Sequence, residues 1–429
     1  MDIFSKKIMS NSLWMMLEKL VSMIGLIFVN SYMAKYVGPE NFGKIIFASS
    51  LFIFIQSIAW FGAQNVYLKR MSENKISGMR LASANLNFRR ALFFISSTIL
   101  LVYLYLYNEF IVFLFALASF IASYYTISDI FSIYNNSQLK SVINALTNIF
   151  GLIIALLVRF FLVYYEFHLY YMVLPIILIV AIPYLLRWYI YKKENSLLIS
   201  LTIKKSKKYN IYLINTGGAL LISSISIVVY NQVSNIFLAQ YSTYAELGIY
   251  NIAMTLGGAW AFINIALITS LFARIYAEKS EKKSIQLFIL THYIVVFVSF
   301  LVYLFLRITG AWWIEMLYGS KYLDAAKILG LIVIATALSN MGTINYRYMM
   351  KLGAYKYLSI KMLIISLLSI PVSYFLIIKY GLVGAAYCFV LIEFFSLTIG
   401  NYLFNKGEVF KMHLKLLQPY KLYLIFTRK

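Results

Sequence analysis

Few side chains in this sequence could carry chemistry, and most of them sit in apolar company. Arg159 follows Leu156-Leu157-Val158, Arg307 follows Leu304-Phe305-Leu306, Glu393 stands between Ile392 and Phe394, Asp129 has Ser128 and Ser132 nearby, and Glu18 adjoins Lys19. An ionised side chain at mid-bilayer costs ~2.5–3.5 kcal/mol on insertion scales, so such residues line a cavity, pair, or reach for the interface. Both readings are open for Arg159, for Arg307 and for the Glu18–Lys19 pair. Inward cations would suit phosphate, which the planar guanidinium fork holds through two parallel hydrogen bonds. Asp129, Glu393 and Glu18 are candidate proton or Na⁺ carriers, because burial disfavours the ionised form, with structural pairing as the alternative for each. The single Cys388 and three histidines, His168, His292 and His413, exclude an intramolecular disulfide and leave no Cys or His metal centre. A Gly-rich phosphate loop ending in Lys-Ser/Thr is also absent, so the chain is not expected to be an ATP-driven pump or to need a cofactor.

The elements that position these residues are apolar helices. Of 429 residues, 62% are hydrophobic and 12% charged, and the mean hydropathy is +0.80, which excludes a set of soluble domains. Apolar runs of ~20 residues predict helices over about 12–35, 44–66, 91–107, 110–134, 142–164 and 169–190, then 211–240, 249–273, 286–308, 325–346, 362–378 and 384–404. Lys6 and Lys7 precede the first run, which lacks a small-residue cleavage site and is expected to be retained. The expected fold class is an all-α polytopic membrane protein with twelve transmembrane helices in two six-helix lobes, residues 1–200 and 201–429.

The net charge of +23, from 38 Lys+Arg and 15 Asp+Glu, is read as topology rather than as a nucleic-acid surface, because cytoplasmic loops of polytopic proteins collect Lys and Arg. With alternate connections assigned to one side, 30 of the 38 fall at 1–11, 67–90, 135–141, 187–210, 274–285, 347–361 and 405–429. The opposite connections hold only Lys35, Lys44, Lys321 and Lys379. Both termini are therefore expected in the cytoplasm. The most basic connection, Arg187 to Asn210, separates six helices from six and suits anionic headgroups of the membrane lipids. Outer connections are short, the longest from Thr309 to Asp324, which leaves no room for the outer loop of a sugar-polymerising or ligating enzyme.

Helix 7 of this plan is the most polar. Ser224, Asn231 and Asn235 share one stripe with Ser223, Tyr230 and Ser234, and Asn251, Thr255 and Gly258 continue the theme in helix 8. Ordinary helix packing uses the same residue types; the other reading is a wetted path in which Asn231 and Asn235 bind substrate. Most of the aromatic residues, 18% of the chain, suit interfacial belts, with Trp188 at the inner face and Trp312-Trp313 at the outer.

Several outer turns carry a family resemblance. Val37-Gly38-Pro39-Glu40-Asn41-Phe42-Gly43, Glu246-Leu247-Gly248-Ile249-Tyr250, Met316-Leu317-Tyr318-Gly319-Ser320-Lys321-Tyr322 and Tyr380-Gly381-Leu382-Val383-Gly384-Ala385-Ala386 resemble the recurrent turns of the polysaccharide-flippase branch of the MATE-like transporters, the O-antigen or repeat-unit flippases of bacterial inner membranes. The resemblance runs from helix 1 to helix 12; it departs at Ala273, where many relatives have Pro. It implies two lobes around a cationic cavity that opens alternately to each side, and a substrate of undecaprenyl diphosphate carrying a short oligosaccharide. Arg159, then Lys19 and Arg307, are the expected contacts to that substrate, with a proton or Na⁺ as the driving ion and polysaccharide polymerase machinery as a further partner. A small-molecule exporter of the same superfamily is the competing expectation; it would favour acidic rather than basic inward charges.

Overall fold

In a computed structural model, which describes residues 6–194, 203–278 and 280–416, every regular element among the described residues is a helix. Ten helical segments there are long and apolar enough to cross a membrane. The first helix, Lys6–Trp60, is bent at Gly38, where φ is 77°; the helix Tyr355–Leu397 is bent at Gly381, where φ is 52°. A side chain at either bend would be strained. At Gly381 it would also meet the Glu246 carboxylate, 2.7 Å from an ideal Cβ. These ten segments are consistent with the expected twelve, since the two glycine bends further divide the helices that contain them. The chain is a multi-pass membrane protein.

The chain divides into two compact units, Met1–Val228 and Val229–Lys429, with the division inside the helix Ile203–Tyr241. In the first unit Phe52, Phe93 and Phe115 are fully enclosed, and the rings of Phe93 and Phe120 stack at 5.2 Å. In the second, Ile268, Phe272, Phe288 and Ile344 form a core that also receives Met412 from the last described helix, Glu408–Leu416. The outward faces are apolar as well, with Ile99, Phe161, Phe297, Ile308 and Phe375 more than half exposed. Outside a bilayer such surfaces would be an aggregation hazard; inside one they are its solvent-facing side.

Three expectations shift for local reasons. The connection at 67–90 is not open loop, because Ala63–Glu73 and Lys75–Ala84 are short helices, with Asn74 capping the second by accepting from the Ser77 amide at 2.9 Å. The outer connection from Thr309 is largely helix, since Glu281–Tyr318 runs on past Gly310 and both tryptophans. The predicted helix over 110–134 is broken at Asp129, which ends Phe110–Ser128 and caps Ile130–Ser137.

Candidate functional site

Each unit holds a carboxylate in a polar cluster that the apolar helices would not otherwise tolerate. In the first unit Asp129 takes ψ 71° between two helices, and its Oδ1 accepts from the Ser132 amide at 3.1 Å. Its Oδ2 accepts from Arg187 Nη2 at 2.5 Å, on the helix Val173–Glu194. The other guanidinium nitrogen, Nη1, donates to Asn148 at 2.7 Å and Thr147 at 3.1 Å. One ion pair thus ties three helices, with both terminal nitrogens of Arg187 and both oxygens of Asp129 engaged. Arg159, about three turns farther along the helix Ser141–Tyr164, is also turned inward, at 5% exposure.

In the second unit Glu393, 6% exposed, receives the Tyr230 hydroxyl and a hydrogen bond from Ser339. Lys361 is buried on the same bent helix, donating to Asn401 at 2.8 Å, and it acts on Glu393 only through space. Beside Tyr230 lies a cavity of about 50 Å³ lined by Asn231, Ser234, Tyr250, Ser369 and Cys388. A space of that size admits one or two waters. Its wall is itself hydrogen-bonded, Ser234 to Ser373 at 3.2 Å and Ser373 to Cys388 at 2.9 Å.

The remaining expected site residues fall as follows. Asn235 is buried and linked, donating to Gln232 at 3.0 Å and accepting from Asn251 at 3.3 Å, whereas Asn231 is exposed. Arg307 lies on an exposed face with Phe305 and Ile308, the surroundings of an arginine that extends toward the interface. The side chains of Glu18 and Lys19 lie outside the described residues. The structure therefore brings Glu393, Asn231 and Asn235 to one unit and Asp129 and Arg159 to the other.

No protein-family model matches the chain, and no curated protein matches it. Solved structures do. The lipid II flippase MurJ, in an inward closed conformation, superposes with a TM-score of 0.68 at 18% identity, over 97% of this chain and 92% of that one. An inward-facing multidrug resistance MATE family transporter of the MOP superfamily gives 0.56 at 15% identity, over 92% and 97% of the two chains. A Vibrio cholerae MATE transporter, VcmN, gives 0.53 at 13% identity, over 98% of each. The fold is MATE-like.

Within this MATE-like fold, sequence reasoning missed four buried cations by assigning them to connections, Arg187 of the ion pair above among them. Lys44 is held by Glu40 at 2.8 Å and Glu109 at 2.9 Å, Lys361 is the residue described above, and Arg89 is fully enclosed near the start of Leu86–Tyr107. The signal for Lys361 was present in the spacing of four that runs Lys361, Ile365, Ser369, Ser373, Ile377, all buried. Counting positive charge for topology concealed it.

Proposed function

We propose that this chain is a flippase that moves an undecaprenyl-diphosphate-linked oligosaccharide, a surface-polysaccharide repeat unit, from the cytoplasmic to the outer leaflet of a bacterial inner membrane by alternating access. The observation that carries the reading is the sign of the interior. Among the described residues Lys44, Arg89, Arg159, Arg187 and Lys361 are buried, against Glu393 as the one buried carboxylate, with Asp129 slightly more open. An interior of that sign suits a diphosphate and opposes an organic cation. The fold shared with a lipid II flippase supports the same substrate class. A diphosphate and sugar hydroxyls cannot cross hydrocarbon unaided, and cationic, hydrated walls lower that barrier while the lipid tail stays in the bilayer. In this account Arg159 contacts the diphosphate, Lys19 and Asn231 are weaker contacts, and Glu393 carries the driving proton or Na⁺.

The test is deletion and complementation. Loss of the chain should remove the surface polysaccharide and leave lipid-linked units on the cytoplasmic side. Unchanged surface polysaccharide together with greater sensitivity to organic cations would instead support the exporter reading, which the MATE structures favour by fold.

A further inference from the structure

Three buried hydrogen-bond donors meet in the first unit with nothing to receive their protons. Arg89 is 0% exposed and its guanidinium carbon lies 4.4 Å from the ring centre of Trp60 and 5.3 Å from that of Tyr67. None of Nε, Nη1 and Nη2 has a hydrogen-bond partner, nor has the Trp60 indole nitrogen or the Tyr67 hydroxyl. The neighbouring Arg90 lies over Tyr124 at 5.5 Å, and its Nε is likewise unpartnered. The two aromatic faces stabilise the cation, but a guanidinium's five N–H donors lie in its own plane and point past those faces. Burying them unsatisfied is among the costlier arrangements in a protein. Three of the other buried cations, Lys44, Arg187 and Lys361, each find an oxygen within 2.9 Å.

We propose that Arg89, Trp60 and Tyr67 form a binding site for a small monovalent anion of the halide class. The chemistry selects the ligand. The donor set is Arg89 Nε and Nη, the indole N–H and a phenol O–H. A spherical anion has no directional demand of its own, so it can sit at one N–H edge of the guanidinium and still accept from a neighbouring indole N–H or phenol O–H, and it neutralises a charge that no carboxylate among the described residues pairs with. The site is enclosed, with Trp60 at 7% and Tyr67 at 0% exposure, which favours a single atom over an oxyanion or a headgroup. It uses none of the residues assigned to substrate or to coupling, so it stands whether or not the chain is a flippase.

Crystals of the full wild-type chain grown in bromide should show an anomalous peak within hydrogen-bonding range of Arg89, Trp60 and Tyr67. In a protein retaining Trp60 as its only tryptophan, iodide should quench fluorescence with a saturable component that chloride competes away. Arg89→Gln should lose both signals. Tyr67→Phe keeps the ring, removes one donor, and should keep the peak at lower occupancy, which serves as the test if Arg89→Gln does not fold. A site without a bromide peak, its nitrogens satisfied by water or carbonyl oxygens, would overturn the proposal, as would a peak that survives in Arg89→Gln.

Discussion

Asp129 in the first unit and Glu393 in the second are both carboxylates set among apolar helices, and their company differs. Asp129 meets a guanidinium directly, and that guanidinium has two further acceptors in Thr147 and Asn148. Glu393 meets only neutral hydroxyls, those of Tyr230 and Ser339, beside a cavity of about 50 Å³ and with Lys361 held away by Asn401. Removing one member of a buried ion pair leaves the other uncompensated. A carboxyl among hydroxyls keeps its hydrogen bonds in either protonation state, because a hydroxyl both donates and accepts, and protonating it strands no cation. The first arrangement suits a fixed joint and the second suits a proton that comes and goes.

The largest effect should come from breaking the joint. Arg187→Ala or Asp129→Ala should each destabilise the first unit by about 3–5 kcal/mol, as expected for stranding a buried charge, read as a lower melting temperature in detergent. The double substitution should cost less than the sum of the two. Glu393→Gln keeps a hydrogen-bonding group for Tyr230, so its melt should change by only about 1 kcal/mol, one hydrogen bond's worth. Equal losses at both carboxylates would dissolve the contrast.

Arg159 sharpens the contrast from the side of the substrate. If it holds phosphate, Arg159→Ala should abolish surface-polysaccharide complementation at normal protein level, and Arg159→Lys should retain part by keeping charge without the fork. Full complementation by the alanine variant would remove it from the site.

A smaller effect lies outside the spans. His413, on the helix Glu408–Leu416, sits 3.0 Å from Asn345 and 2.9 Å from the Tyr402 hydroxyl, with the His292 ring centre 5.7 Å away. Burial lowers its pKa below the usual value near 6.5. The undocked helix therefore takes up a proton more readily than the docked one, so docking is complete above about pH 6.5 and weakens as the pH falls below it. Protection of the amides over 408–416, taken relative to their intrinsic exchange rate at each pH, should fall between pH 7.5 and pH 5 in wild type and change less in His413→Gln.

Hydropathy alone placed nearly every span, because a bilayer demands a long apolar run and little else produces one. The bends at Gly38 and Gly381 were legible as turn motifs, and both glycines leave helical geometry there, Gly38 at φ 77°, ψ 167° and Gly381 at φ 52°, ψ −127°. What the sequence concealed was pairing. Arg187 read as the start of a basic connection, and its partner Asp129 is 58 residues earlier. Lys361 and Arg89 were counted as loop charge; the buried spacing of four marked Lys361, but for Arg89 nothing local separates a cation at a helix end that turns inward from one that turns to solvent. Those choices are made by packing between helices distant in sequence, which no local pattern records.

The central claim is best tested in vesicles that contain the purified chain and a fluorescent undecaprenyl-diphosphate oligosaccharide, with transfer between leaflets followed under an imposed proton or Na⁺ gradient. The account predicts that wild type transfers the lipid-linked sugar faster when the gradient is applied, and that Glu393→Gln, folded and present at the same level, transfers it without responding to the gradient. No transfer by wild type, or transfer by Glu393→Gln that still follows the gradient, would contradict it.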